Sequence, residues 1–487
     1  MSKIVFQVEE IDYPKGTPFH PHRKYPEYQG AIGEEENRTY EMVRQLFHML
    51  GLDDSNYGTE KWNPLGDVIT PGDTVLLKPN FVLHRNGCGD SIWAVITHPS
   101  VIRAVTDYAY KAAGDKGRVI IADSPQSDCD FEELVRITQL KDLVKYYREE
   151  YCFEIELYDL RQVRFEYRDG VLLEDSRIQL NGDPEGYIIF DMSHNSRHEG
   201  IGHPERIYGA DYDRSEVLQH HSNGHHEYCI AKTVMKADVV ISLPKMKTHR
   251  KNGVTLNYKN FIGINGNKNY LPHFRIGDPS DGGDEYEPLN QTDKTIKYTN
   301  RFLTDRLLAH PTKTKTCIYK CIFSLYAFAK KIFVKKGIKR SLIRGGAWYG
   351  NDTLWRTVAD LYKIIEFGDL DGNIRERPQR KLFCIIDGII AGEGNGPLEP
   401  REKHCGTLIA GEDLLAADLV AIRLMDIDYN HIQPYHELLL DKKTASKMKN
   451  MEVFHNMNDD FNWNDQSGKY FVFEEADGWK GRIRIES

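Results

Sequence analysis

The sequence predicts an α/β protein with a mostly parallel sheet in two lobes, joined by a basic helical insertion. Three observations predict it. A strand–helix–strand unit runs from Thr74 to Ala122, the local signature of a parallel sheet. Val239–Ile241 and Lys381–Ile386 are short apolar runs of the kind that form strands buried on both faces. Between Arg306 and Asn351 the acids vanish, against eight Lys and three Arg, in a chain of net charge −9.

The length of 487 residues leaves room for two or three domains. An apolar share of 40% supports a real core, and 11% aromatic residues exclude a disordered chain. The composition divides into an α/β lobe over 1–275, an acidic Gly-rich turn plus basic amphipathic insertion over 276–350, and a second α/β lobe with a terminal appendage over 351–487. The net charge gives no nucleic-acid signature, so nucleic acid is not an expected partner. Eight Cys without a CxxC pair read as reduced thiols. The start, MSKIVFQVEE, is strand-like and lacks an apolar signal core. The expectation is a cytoplasmic protein, peripheral at the inner face of a membrane if the insertion docks there.

Lys3–Val8 reads as the first strand, and 9–35 as irregular structure. Arg38–Leu50 carries Met42, Val43, Leu46, Phe47 and Leu50 at helical spacing, closed by Gly51. Thr74–Leu77 is a strand, and Lys78-Pro79-Asn80 falls at its carboxyl end. There a Lys and an Asn hold an anionic substrate, or form a plain turn. Thr97-His98-Pro99 starts the next helix with Thr97 as its expected cap, and Val101, Val105 and Ala109 give it an apolar face. Arg118–Ala122 is a strand, and Asp123-Ser124 at its end either face a ligand or cap a helix.

Between Glu154 and Glu227 seven His crowd together, among them His198, His220, His221, His225 and His226. A metal site and a set of hydrogen-bonded His are the two readings, since the spacing repeats no standard ligand pattern. His226–Lys236 reads as a helix. Gly277–Pro288 is acidic and Gly-rich, and reads as a flexible turn rather than a calcium loop. Cys317–Val334 (CIYKCIFSLYAFAKKIFV) puts Lys320, Ser324, Ala327 and Lys331 on one narrow helical face. It is too interrupted to span a membrane and reads as an interfacial helix or an internal one. Asn351-Asp352-Thr353 caps a helix through Ile365, with Trp355 and Arg356 as candidate ligand contacts. Lys381–Ile386 is a strand ending at Asp387-Gly388, and Glu393-Gly394-Asn395-Gly396-Pro397 reads as a loop whose amides approach an anion.

The densest stretch is ADVVISLPKMKTHRKNGVTLNYKNFIGING, Ala237–Gly266. A strand ends at Pro244, and Lys245, Lys247, His249, Lys259 and Asn260 follow among apolar neighbours. Ligands of open α/β sheets bind beyond such strand ends. This stretch resembles the family of domains of unknown function numbered 362, together with Val75–Val82, Thr97–Val105, Ile120–Pro125, Gly350–Leu361, Asp387–Pro397 and the helix holding Asp418. Members of that family often add a ferredoxin-like cysteine cluster, which this chain lacks, so no iron–sulfur cluster is expected. The block is also similar, more faintly, to that of nickel-pincer lactate racemases, in which a His moves a proton and a Lys ten positions on holds the pincer nucleotide. That resemblance implies these roles for His249 and Lys259, and a nickel-ligand role for His273. It implies racemase, epimerase or redox chemistry at a carbinol carbon, with a nickel-pincer nucleotide or another metal as cofactor.

The expected site is one crevice holding Lys78, Asn80, Asp123, Ser124, Lys247, His249, Lys259, Asn260, Asp387, Glu393 and Asn395. Its cations favour a small anionic substrate: a hydroxy acid, a uronic acid or a sugar phosphate, as in polysaccharide biosynthesis. His249 is the expected acid or base, Lys259 the anchor, and Glu393 or Asp123 a second proton carrier. The alternative is a non-catalytic module bound to an anionic membrane surface through residues 306–344.

Overall fold

The computed structural model describes the chain except for residues 1, 169–170, 336–344, 459, 466, 468 and 486–487, with the backbone alone over 173–174 and 326–335. Its centre is one ten-stranded sheet. The strands are β1 (Lys3–Val8), β2 (Thr74–Pro79), β3 (Arg118–Asp123), β4 (Ile155–Asp159), β5 (Val239–Leu243), β6 (Lys245–His249), β7 (Gly253–Thr255), β8 (Lys381–Asn395), β9 (Glu399–Gly411) and β10 (Glu452–His455). The main path runs β10-β1-β9-β8-β5-β2-β3-β4, with β6 paired to β7 and to β8. Six of the nine pairings are parallel. Strands from either side of the insertion share this sheet: β5 lies between β2 and β8, with Ile241 opposite Leu77 and Phe383.

Burial on both faces accounts for the composition of the central strands. Val75, Leu77, Val239 and Ile241 point to one apolar core with helices α1 (Arg38–Leu50) and α2 (Pro99–Ala113). Leu76, Val240 and Ile386 point to the other, with helices α3 (Leu354–Phe367) and α4 (Leu414–Leu424). The alternation along each strand assigns successive side chains to opposite cores. Gly51 ends α1 in the left-handed region at φ 77, as a Gly C-cap does. At α2 the cap is His98, whose ring accepts from Ser100 N–H, while Thr97 Oγ1 donates 2.6 Å to Leu243 O.

Four expectations are corrected. Residues 226–236 form strand Glu227–Ala231 and one helical turn, Lys232–Lys236, because Tyr228 and Ile230 are drawn into pairing with Tyr187–Asp191. Pro244 interrupts the sheet for one residue only, and β6 resumes against β8. The Gly-rich run 392–395 is strand, not loop: β8 continues to Asn395 against β9, with Glu393 opposite Arg401. The last residues are no appendage, since β10 adds in parallel to β1 and Trp479 is buried.

The insertion contains two helices, α5 (Gln291–Leu308) and α6 (Lys313–Lys335). Phe302, Ile318, Phe323 and Leu325 are exposed, Leu325 at 71%. The end of the basic arm, 336–344, lies outside the described residues. Among the described residues no helix is long and apolar enough to cross a membrane.

Candidate functional site

Strand β6 reads KMKTH, and its pleat puts Lys245, Lys247 and His249 on one face in a row. The three meet different surroundings. Lys245 is fully buried and donates to Asp387 at 2.8 Å. Lys247 donates 2.7 Å to Asn80 Oδ1 and also to Val95 O. His249 reaches the lining of a cavity of about 300 Å³ beyond the carboxyl ends of β2, β3 and β6. That period-two pattern was legible in the sequence, but Pro244 directs the eye to a loop.

Asn80, Asp123, Ser124, His249, Lys259, Asn260 and His273 all line this cavity. Arg250 and Lys251 from the dense stretch line it as well, as do Lys268 and Thr255, which sequence reasoning missed. Lys251 and Arg250 sit in the β6–β7 turn, where a run of charges reads as solvated surface. The short helix Asn257–Asn260 presents Lys259, and Asp418 fixes its start. The Asp418 carboxylate accepts from Asn257 N–H at 2.9 Å, Tyr258 N–H at 3.1 Å and the Tyr435 hydroxyl at 2.8 Å. Burial raises the Asp418 carboxyl to about 7.

The remaining expected site residues lie elsewhere. Lys78 and Lys247 are buried beneath the cavity as its support. Asp387 is buried beside Lys245 and Tyr13, accepting also from His98 N–H at 2.9 Å. Glu393 pairs with Lys403 at 3.0 Å, and Asn395 donates to Asp477 at 2.9 Å, because the β8–β9 hairpin carries both away from the other strand ends. At the start of α3, Leu354 faces the cavity, while Trp355 and Arg356 turn to Asp352 at 2.9 and 3.1 Å.

The electrostatics are one-sided. Arg250, Lys251, Lys259 and Lys268 face Asp123 and Asp128, and both acids are engaged. Asp123 lies 2.8 Å from Lys78, and Asp128 lies 2.8 Å from Arg85. Lys268 donates to Ser124 O at 2.8 Å and to Ile262 O at 3.2 Å. Among the described residues Lys259 makes no hydrogen bond or ion pair, and the Lys251 ammonium lies over the Phe274 ring, 5.4 Å from its centroid, with the charges of Glu285 and Asp284 acting on it without an ion pair. Burial first, and then the neighbouring Lys78, bring Lys259 down to about 8. Burial, with Arg250 and Lys259 nearby, brings Lys251 down to about 7. Crowded, desolvated ammonium groups shed protons unless an anion compensates them.

The two histidines are set in opposite tautomers by the backbone. His249 Nδ1 accepts from Lys251 N–H at 3.0 Å and Asn252 N–H at 3.1 Å, so the neutral ring carries its proton on Nε2. His273 Nδ1 donates 2.8 Å to Leu271 O, so its Nε2 keeps the lone pair. Burial, then the adjacent lysines, hold His249 well below the ordinary range, and burial with Lys251 pulls His273 to about 3. In its neutral form His249 therefore has Nε2–H as its free donor.

His273 does not complete a metal site. Among the described residues no group of three His, Cys, Asp or Glu ligand atoms includes it. The one such group is Asp191, His225 and Glu227, on the surface, with His225 also 2.7 Å from Asp191. The donor set of the cavity, one imidazole lone pair with Asp123 and Asp128 already tied to Lys78 and Arg85 among further ammonium groups, does not fit a metal held by protein ligands. The buried tract histidines contact one another: His198, His221 and His226 have ring centroids 5.7–5.8 Å apart.

Comparison with known proteins gives a family but no activity. No curated protein matches the chain. A crystal structure of a Thermotoga maritima protein is a distant neighbour at 9% identity and TM-score 0.33, the match covering 85% of this chain and 60% of that one. A family model described as "Domain of unknown function (DUF362)" matches residues 75–174 and 192–423. Neither description names a racemase or a cofactor. The matched segments take in more than half of the chain and every residue that lines the cavity. The chain belongs to the DUF362 family.

Proposed function

We propose that the cavity is the active site of an enzyme acting on a small anionic substrate, such as a hydroxy acid, a uronic acid or a sugar phosphate. The observation that supports this is the pair Lys251 and Lys259, cationic groups lining the cavity with no ion pair of their own among the described residues, where burial and neighbouring cations outweigh the nearby acids. An anion seated there relieves their repulsion and their desolvation cost together. His249 Nε2–H then donates to a substrate oxygen, and His273 Nε2 offers a lone pair for a proton. This division of roles suits an isomerase or an oxidoreductase working at a carbon that bears oxygen.

Thermal melting at low ionic strength with phosphate, lactate, glucuronate and glucose 6-phosphate tests the reading. At least one anion should stabilise the protein, by about 2.7 kcal/mol at a hundredfold excess over Kd. Lys259→Ala should abolish that gain. If no anion stabilises, or if the gain survives in both Lys259→Ala and Lys251→Ala, the reading falls.

A second reading concerns the insertion. Phe323 at 46% and Leu325 at 71% exposure stand on a helix with no acid in its sequence. That pattern supports docking on an anionic bilayer surface.

A further inference from the structure

One of the two cavity lysines is set for more than holding an anion. Lys259 stands beside Lys78, whose own charge is already matched by Asp123 at 2.8 Å. It has no acceptor among the described residues, and no aromatic face beneath it, whereas Lys251 rests over Phe274. An anion seated on Lys251 keeps that ammonium charged, and a charged Lys251 favours the neutral form of the amine next to it. A desolvated lysine beside another cation is the environment that turns an amine into a nucleophile for carbonyl carbon.

We propose that Lys259 forms an imine with the carbonyl group of an anionic aldehyde or ketone, the anionic end being held by Lys251 and the carbonyl oxygen facing His249 Nε2–H. This rests on the reading of the cavity as the active site and adds its substrate class. The neutral amine nitrogen attacks the carbonyl carbon and gives a carbinolamine. The C–O bond then breaks, and the two amine hydrogens leave with that oxygen as water. The imine nitrogen takes one proton from solvent, and no oxidant or reductant is needed. Burial and Lys78 together bring Lys259 down to about 8, so the neutral amine is available near neutrality.

The test is reductive trapping. The whole protein is incubated with pyruvate (a carboxylate source) or dihydroxyacetone phosphate (a phosphate source), then treated with borohydride, and read by intact mass and peptide mapping. The expected result is one adduct on Lys259, with a mass gain of the carbonyl compound less one oxygen atom. The two probes decide which anion the site takes. The adduct should be lost in Lys259→Arg and Lys259→Ala, both checked to melt no lower than the wild type, and should fall at least tenfold in Lys251→Ala. No adduct with either probe, or an adduct on Lys251, Lys268 or scattered surface lysines, overturns the imine. If anions still stabilise the protein through Lys259 in that case, the active-site reading stands without it; if they do not, both fail.

Discussion

Lys78 Nζ lies 2.8 Å from Asp123 Oδ1, and Gly263 closes over the pair with no side chain of its own. A Cβ at Gly263 would stand 2.7 Å from that ammonium and still closer to the carboxylate. The pair ties the ends of β2 and β3 beneath the cavity, and Asp123 also accepts from Phe81 N–H at 2.7 Å.

Breaking this pair on one side strands a buried charge. Asp123→Asn should cost about 3–5 kcal/mol in denaturant unfolding. Adding Lys78→Met should recover part of that loss, because the orphaned ammonium goes with it. Gly263→Ala should destabilise as well. Equal losses in the single and the double variant would show that the two groups do not act as a pair.

The lysines make the empty protein more stable as pH rises. An unfolded Lys keeps its proton to its ordinary 10.5, while in the fold Lys259 releases it at about 8. Between these values the unfolded chain binds more protons, so unfolding becomes harder with increasing pH. Below about 8 both states carry the proton and the penalty is fully present. Lys259→Ala should be the more stable protein near neutrality and should show a flatter stability profile above it. Denaturant unfolding across that range, wild type against variant, reads the difference; parallel profiles would place Lys259 in ordinary solvent contact.

Anion binding should run the opposite way. It should weaken as pH rises through about 7 to 8, where Lys251 and then Lys259 lose their charges. It should show no inflection from His249 between roughly pH 5 and 7, since burial keeps that ring neutral. Calorimetric titration with the stabilising anion measures both. An inflection that vanishes in His249→Asn would assign the ring an ordinary titration instead.

His249→Asn separates holding from donating. The Asn oxygen replaces Nδ1 as acceptor for the turn, so stability should change by less than about 1 kcal/mol. The far donor is lost, and a hydrogen bond to an anion is worth about 1.5–3 kcal/mol, so affinity should fall at least tenfold. His249→Ala should lose both, since it leaves the Lys251 and Asn252 amides without their acceptor. Retained affinity in His249→Asn would remove His249 from the site.

The insertion makes a separate prediction. Leu325→Glu and Phe323→Glu alter exposed positions, so melting should shift little. Binding to anionic vesicles should be lost, and in the wild type it should weaken with salt, at about 1 kcal/mol for each basic residue engaged. Salt-independent binding, or binding unchanged by both substitutions, would sink the surface-docking reading.

The sequence by itself determined what local pattern decides. The period of apolar residues located α1, α2, β2, β3 and β5, and the parallel sheet followed from their order. It also placed Asn80, Asp123, His249, Lys259 and Asn260 at one site, because groups after parallel strands gather at the same edge. Only the tertiary structure decided which cations are free. Lys247 and Lys251 look alike four positions apart, yet Lys247 is fastened to Asn80 from β2, and Lys251 lines the cavity. Glu393 and Asn395 were lost from the site for the same reason. Whether β8 stops at Asp387 or runs on depends on its pairing with β9, with Ile390 opposite His404 and Asn395 opposite Glu399. Register and partner choice are set by contacts between distant segments, and no local period encodes them.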